Sequence, residues 1–319
     1  MEGKKIAIIG ASGFTGKTLA EILSMHSGVE LCALNSHSYG GKLMEGLYPE
    51  FTGSGLKFTN HSVEEITKMK PALVFLALPD GEAQKIAPKI LEKGIKAIDL
   101  SKDYRFSADA AYGLTEFFAE KIKVAKLVAN PGCYATACLL AAKPLDEFGG
   151  VKHFVFDCKS GVSGAGKEPS EVNNFNFLSE NILAYKLTKH KHVAEIQQFL
   201  DAKVSFTPHV LPAIRGIMCT MHALMDKSVD SERIRKIYEK AYSGKEFVKV
   251  LDARLPELHG VQNSNRCHIG GFESDEHNRI VVVSTIDNLV KGAAGQAVQN
   301  MNLMLGFREN EGLAKWMKK

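Results

Sequence analysis

Up to about residue 130 the chain alternates short apolar runs with amphipathic stretches, the arrangement that βα units around a parallel sheet produce. IAIIG at 6–10 predicts a first strand, 15–25 a helix and 29–34 a second strand. LVFLAL at 73–78 shows no polar alternation, as a strand buried on both faces requires. Two more strands are predicted at 96–100 and 125–130. From about residue 151 the texture changes. HFVFDCKSG, VSFTPHVLP, GIMCTMHALM and NRIVVVSTID alternate or are rich in β-branched residues, which predicts a mixed or antiparallel sheet in a second domain. Beyond Lys291, Ala294, Val298, Met301 and Leu305 fall at helical spacing and Gly306 is a natural stop, so a helix is expected that needs a groove for its apolar face.

Composition narrows the class. With 319 residues, 45% of them hydrophobic and 24% charged, the chain has enough apolar material for two packed domains and is not a fibrous or disordered protein. A net charge of +4, from 40 basic and 36 acidic residues spread along the length, is too weak to argue a nucleic-acid surface, so small-molecule partners are expected. No apolar run is long enough for a spanning helix and the start leads straight into a strand without a leader, so neither membrane nor nucleic acid is an expected partner and a cytoplasmic location is. The six cysteines show no CxxC and no His/Cys cluster at zinc-ligand spacing, so no disulfide framework and no metal are expected.

Three constellations carry candidate chemistry. Gly10, Ser12, Gly13, Phe14, Thr15 and Gly16 lie between the first strand and helix, where glycines let backbone N–H groups approach a pyrophosphate. At the end of the second strand, where an NAD site places an acid, the chain reads Asn35, Ser36, His37, and then Lys42; hydroxyls and bases there suit the 2′-phosphate of NADP. In Asn130-Pro-Gly-Cys133-Tyr-Ala-Thr136 the thiol of Cys133 would stand at a helix N-terminus, with the helix predicted at 135–142; the dipole there favours a thiolate and an oxyanion on a substrate carbonyl. Cys138, Cys32, Cys158 and Cys219 read as packing, and Cys267, beside Arg266 and His268, stays open. His190 and His192 are read as opening a helix continued by Glu195, Ile196 and Phe199, which would offer a thiol an acid or base; capping or surface histidines are the alternative. Ser163 and Gly164, in the glycine-rich loop ending at Lys167, are candidate cofactor contacts or a plain turn. Arg105 and Arg215 suit carboxylate or phosphate recognition or a structural ion pair.

These residues resemble the N-acetyl-γ-glutamyl-phosphate reductases within the semialdehyde dehydrogenase group. The resemblance runs through GASGFTG, VANPGCYATA, KSGVSGAGK, the 185–196 block, FTPHVLPAIRGI and IDNLVKGAAGQAVQNMNLMLGF, and so covers nearly the whole chain. It implies an α/β fold class: a Rossmann-type parallel-sheet domain over 1–132, completed by a C-terminal helix at 290–319, and an α+β catalytic and oligomerisation domain with a mixed sheet over 133–289. It implies NADP as cofactor, an acyl phosphate as substrate and a homo-oligomer, dimer or tetramer. By the same likeness Cys133 is the nucleophile and one of His190 and His192, with His190 preferred, the acid/base. Glu195 and Tyr185 would support that imidazole, Arg105 and Arg215 would meet the anionic substrate, and Asn288 and Gly292 would approach the nicotinamide. Where many members have Arg after the serine that ends the second strand, this chain has His37. Two other readings stay open at this point: a reductase of a carrier-linked aminoadipyl phosphate in lysine biosynthesis, and a regulatory protein that binds NADP without catalysis.

Overall fold

The computed structural model describes residues 3–166 and 175–317. Lys167, the end of the glycine-rich loop, and residues 318–319 lie outside the described residues. The chain divides into two compact units, Met1–Pro131 with Ala293–Lys315, and Gly132–Gly292 with Trp316–Lys319.

In the first unit six strands form one parallel sheet: β1 (Lys4–Ile9), β2 (Val29–Asn35), β3 (Leu73–Leu76), β4 (Lys96–Asp99), β5 (Ala111–Tyr112) and β6 (Leu127–Ala129). Their order is β2, β1, β3, β4, β6, β5, with α1 (Phe14–Leu23), α2 (Val63–Lys68), α3 (Ala83–Leu91) and α4 (Thr115–Val124) between them. β1 lies between β2 and β3, so the chain leaves it in opposite directions and opens a crevice at the carboxyl ends of β1 and β3. β5 was not predicted; it is two residues long, at the sheet edge, too short to leave a hydrophobic period. Gly10, at the end of β1, adopts φ +92°, and a Cβ there would lie 2.1 Å from the Ala77 carbonyl oxygen beyond β3. Only glycine lets the two strands run this close.

The second unit holds α5 (Cys133–Phe148), β7 (Val151–Gly161), α6 (Phe175–Leu178), β8 (Leu183–Ala184), α7 (His192–Gln197), β9 (Lys203–Leu211), β10 (Ile217–Met225), α8 (Ser231–Ala241), β11 (Val248–Val250), β12 (Cys267–Ser274) and β13 (Arg279–Ile286). Its strands make a seven-stranded mixed sheet in the order β11, β12, β13, β10, β7, β9, β8. β7 alternates buried and half-buried positions along its length, as a sheet with one covered face demands. The covered face packs on α5, α7 and α8. α7 begins at His192 and stops at Gln197, so His190 precedes the helix and Phe199 follows it, shorter at both ends than the sequence pattern suggested.

The chain then forms a π-helical turn (Val290–Ala294) and α9 (Gly295–Leu305), which ends on Gly306 in the left-handed conformation. The helix thus stops at Gly306 as the spacing predicts, short of the 290–319 expected for the C-terminal helix, and among the described residues beyond it a 3-10 turn follows at Ala314–Met317. α9 packs on α1, α4 and β4 of the first unit, and polar as well as apolar positions are buried. Gln296 and Gln299 donate to the Thr115 hydroxyl, and Asn300 donates to the Gly113 carbonyl and to Asn130 Oδ1. Among the described residues no helix is long and apolar enough to cross a membrane.

α5 runs six residues beyond the predicted 135–142, straight through Pro144. A proline inside a helix leaves the carbonyl four residues earlier without its donor. That carbonyl belongs to Leu140, and it accepts from the Tyr242 hydroxyl, while Tyr238 serves the next one, Ala141. Tyr242→Phe should therefore lower stability by about 1–3 kcal/mol, the cost of orphaning a buried acceptor. Pro144→Ala restores an N–H to Leu140, so the loss from Tyr242→Phe should shrink in that background. Urea unfolding of the four proteins of this cycle checks it, and equal losses in both backgrounds would contradict the explanation.

Candidate active site

Cys133 takes the first helical position of α5 and is half-buried. The N-cap, Gly132, has no side chain to occupy the free N–H groups of the first turn, and that turn carries no acid. The N-terminal end of α5 thus turns its positive dipole towards the thiol, a setting that favours thiolate and oxyanion alike, with the Glu195 carboxylate on the N-cap amide. Gly132 itself donates its N–H to Glu195 Oε1 at 2.8 Å, so the buried carboxylate on α7 anchors the start of the helix. Glu195 Oε2 lies 3.8 Å from His192 Nε2, one turn away. Gly292 packs on Cys133: a Cβ there would sit 2.9 Å from Cys133 Cβ.

His190 is buried in an aromatic cage, with ring centroids at 5.7 Å from Tyr134, 5.6 Å from Tyr185, 5.2 Å from Phe206 and 4.8 Å from His192. Its Nδ1 accepts the His192 N–H at 3.2 Å, so the neutral ring carries its proton on Nε2. Burial, reinforced by Lys186 and Lys191, lowers its pKa to about 4 and keeps it neutral at pH 7. Tyr134 was not singled out from the pattern, although it follows the nucleophile directly. Its hydroxyl donates to the His209 carbonyl at 3.1 Å and receives the Tyr185 hydroxyl at 3.5 Å. Burial raises both phenols, Tyr185 to about 12, so they act as neutral donors.

Two further candidates converge although they are 125 residues apart. Asn288 Nδ2 donates to the Ser163 hydroxyl at 2.9 Å, and a Cβ on Gly164 would lie 3.7 Å from the same nitrogen. Asn288 Oδ1 accepts the Gly216 N–H. The residue before it, Asp287, is fully buried and escaped the sequence reading. Oδ1 accepts the N–H groups of Leu289 and Val290 and so caps the π-helical turn that carries Gly292, while Oδ2 accepts Asn263 N–H and lies 3.5 Å from Arg215 Nη1. Arg215 thus forms the ion pair that was one of its two readings, and also donates to Asn263 Oδ1. Arg105, in the first unit, is buried and donates to the backbone carbonyls of Asn130 and Leu100.

In the first unit α1 begins after Gly13 without a side-chain cap or an acid in its first turn. Gly16 meets the Gly10 carbonyl oxygen so closely that a Cβ would lie 2.2 Å from it. Ser12 accepts the Ser36 hydroxyl at 2.8 Å, which ties the loop to the end of β2. At that end the Asn35 amide is engaged by Thr59 and His61.

The remaining cysteines divide. Cys32 on β2 donates to the Ile6 carbonyl and Cys267 is buried at the start of β12. Cys138, Cys158 and Cys219, each read separately as packing, are fully buried and lie together: Cys138 Sγ is 3.6 Å from Cys158 Sγ and 3.7 Å from Cys219 Sγ.

Residues 5–125 match the family description "Semialdehyde dehydrogenase, NAD binding domain" and 133–288 match "Semialdehyde dehydrogenase, dimerisation domain". The chain belongs to the semialdehyde dehydrogenase family. Within it, the relatives alike over nearly full length are N-acetyl-γ-glutamyl-phosphate reductases. That of Methanocaldococcus jannaschii is 45% identical over 97% of this chain and 98% of its own, and that of Moorella thermoacetica is 43% identical over 97% of each. Among solved structures, aspartate semialdehyde dehydrogenase II of Vibrio cholerae shares the fold at TM-score 0.79 with 20% identity, covering 96% of this chain and 99% of that one. The Candida albicans aspartate semialdehyde dehydrogenase with NADP shares it at TM-score 0.79 and 18% identity, covering 95% and 98%.

The buried histidines make stability pH-dependent. His268, on β12, is likewise lowered to about 4, by burial first and then by Lys249 and Arg266. Both rings are neutral when folded but protonate near pH 6.5 when unfolded, so the unfolded state binds more protons as pH falls. Stability should be fully present above about pH 6.5 and decline towards pH 4. Thermal unfolding between pH 7.5 and 4.5 checks this, with His190→Gln and His268→Gln each flattening the decline; an unflattened profile in both variants would refute neutral burial.

Proposed function

We propose that this chain reduces N-acetyl-γ-glutamyl phosphate to N-acetylglutamate semialdehyde in arginine biosynthesis, through a thioester on Cys133 and with NADPH as reductant. The observations that carry this reading are a half-buried thiol at the N-terminus of α5 and, in the same unit, a buried neutral imidazole that carries its proton on Nε2. The Cys133 thiolate attacks the acyl carbon, the carbon–oxygen bond to phosphate breaks, and phosphate leaves. The N–H groups of the first turn of α5 and the Nε2–H of His190 stabilise the oxyanion. NADPH supplies the hydride when bound. The carbon–sulfur bond then breaks, the aldehyde forms and Cys133 recovers its thiolate. Glu195 holds the helix start and His192; Tyr185 orients His190 through its ring edge.

The residues fit a dinucleotide. Glycines at 10 and 16 leave no room for side chains, and the bare start of α1 suits a pyrophosphate, with Ser12, Gly13, Phe14 and Thr15 around it. The adenosine end favours NADP over NAD, because Asn35 and Ser36 stand where a carboxylate would accept from a free ribose 2′-hydroxyl, with His37 and Lys42 to meet a 2′-phosphate. Ser163, Gly164, Asn288 and Gly292 are assigned to the nicotinamide end. Arg105 and Arg215 are assigned to the anionic groups of the substrate.

The assembly is a homo-oligomer, in keeping with the dimerisation domain that 133–288 match. The face of the seven-stranded sheet away from α5 carries Val155, Met218, Thr220, Val281 and Val283, half-buried, and among the described residues no helix packs closely over them. We assign it to the contact between subunits. Sedimentation should give at least two chain masses and Val283→Glu should shift it towards one; a native monomer would reject the assignment.

The deciding assay is reduction of NADP⁺ by N-acetylglutamate semialdehyde with inorganic phosphate, run beside NAD⁺ and aspartate semialdehyde. Turnover should be confined to the first pair, and Cys133→Ser should lower it by at least about 10³-fold while NADP⁺ still binds. Tight NADP⁺ binding without turnover of either aldehyde would instead favour the carrier-linked substrate or a regulatory role.

A further inference from the structure

Cys138 projects from α5, Cys158 from β7 and Cys219 from β10. Cys158 and Cys219 are direct partners across the antiparallel β7/β10 pair, and Cys138 comes down on both from the helix. The three Sγ atoms all lie within 4.8 Å of one another, and among the described residues they form the one group of three or more His, Cys, Asp or Glu side chains so placed.

The spacing is that of a ligand set. A point equidistant from three sulfurs so spaced lies about 2.1–2.4 Å from each, which brackets the roughly 2.3 Å of a zinc–thiolate bond. Three small apolar side chains would fill the same volume without bringing three soft donors onto one point. Zinc prefers four ligands, and among the described residues no fourth Cys, His, Asp or Glu joins the group. Soft sulfur donors with low coordination number select a soft monovalent ion.

We propose that Cys138, Cys158 and Cys219 are a buried trigonal site for a soft monovalent cation, Cu(I), lying against the helix that begins with the nucleophile. Binding forms three copper–thiolate bonds and releases the three thiol protons, with no change of oxidation state. The ion cross-ties α5 to β7 and β10 and so stabilises the second unit by mass action.

The test uses the full chain with Cys133→Ser, so that the half-buried thiol takes no copper, refolded anaerobically with Cu(I) because the site is closed in the folded protein. After a wash with a Cu(I) chelator, about one copper per chain should remain, and X-ray absorption should show three sulfur neighbours at about 2.2–2.3 Å. Cys158→Ala and Cys219→Ala, made separately in the same chain, should each reduce retained copper at least tenfold. In the chain with Cys133 intact, the same two substitutions should keep turnover, which reports folding. Copper removed by the wash, retention unchanged in both variants, or a Cys138–Cys158 disulfide in place of metal would overturn the proposal. Should neither variant fold, fewer than three sulfurs or any nitrogen or oxygen neighbour in the absorption spectrum would overturn it as well.

Discussion

The hydrogen bond from the Gly132 amide to Glu195 decides where α5 begins, and the candidate chemistry depends on that point. Each helical residue turns the direction of its side chain by about 100°, so a start one residue later would carry the thiol away from the first-turn N–H groups. A buried carboxyl group resists such drift, because giving up a buried hydrogen bond is costly. Gly292 comes close to Cys133 as well, leaving no room there for a side chain on the π-helical turn. Asp287 then fixes that turn by capping Leu289 and Val290, and holds Arg215 with its second oxygen. The site is therefore positioned by two buried acids that need not touch the reacting atoms.

The first unit solves a different problem with amides. A helix buried on most sides, as α9 is, would be expected to carry only apolar residues, since an unpaired amide in the interior costs several kcal/mol. Here the buried Gln296, Gln299 and Asn300 all find partners in the segment from Gly113 to Thr115 and at Asn130. Apolar packing alone would allow α9 to slide along its groove, whereas side-chain amides bond only in one register. Asn130 is also tied to the Ala293 carbonyl, so the residue three before Cys133 is held by the same network.

Much of this was legible in the chain itself because it is local. Parallel strands buried on both faces leave unbroken apolar runs, and Asn-Pro-Gly before Cys133 marks a chain turning into a helix. What was hidden depends on pairing over long separations. Pro144 looks like a stop for α5 until Tyr242, about a hundred residues on, supplies the missing donor. Cys158 and Cys219 look like isolated core residues until the β7/β10 register sets them opposite each other. The short α7 had the same cause in reverse. Phe199 continues its apolar period, but the helix has ended, because Gln197 turns its amide to the Leu200 and Ala202 carbonyls and to the Val204 N–H.

Anionic ligands in a chain of small net charge call for local rather than global attraction, and burial is what supplies it. The helix starts at Gly13 and Gly132 have no N-cap side chain and no acid in the first turn. His190 is kept neutral by burial and by Lys186 and Lys191, so it donates from Nε2 without adding a charge that salt or a carboxylate would neutralise. Arg215, paired with a buried Asp287, presents its remaining donors in a fixed direction rather than as a mobile cation. Donors fixed in advance need no reorganisation when negative charge develops on a carbonyl oxygen, which is why they act more strongly there than a larger number of mobile surface lysines would.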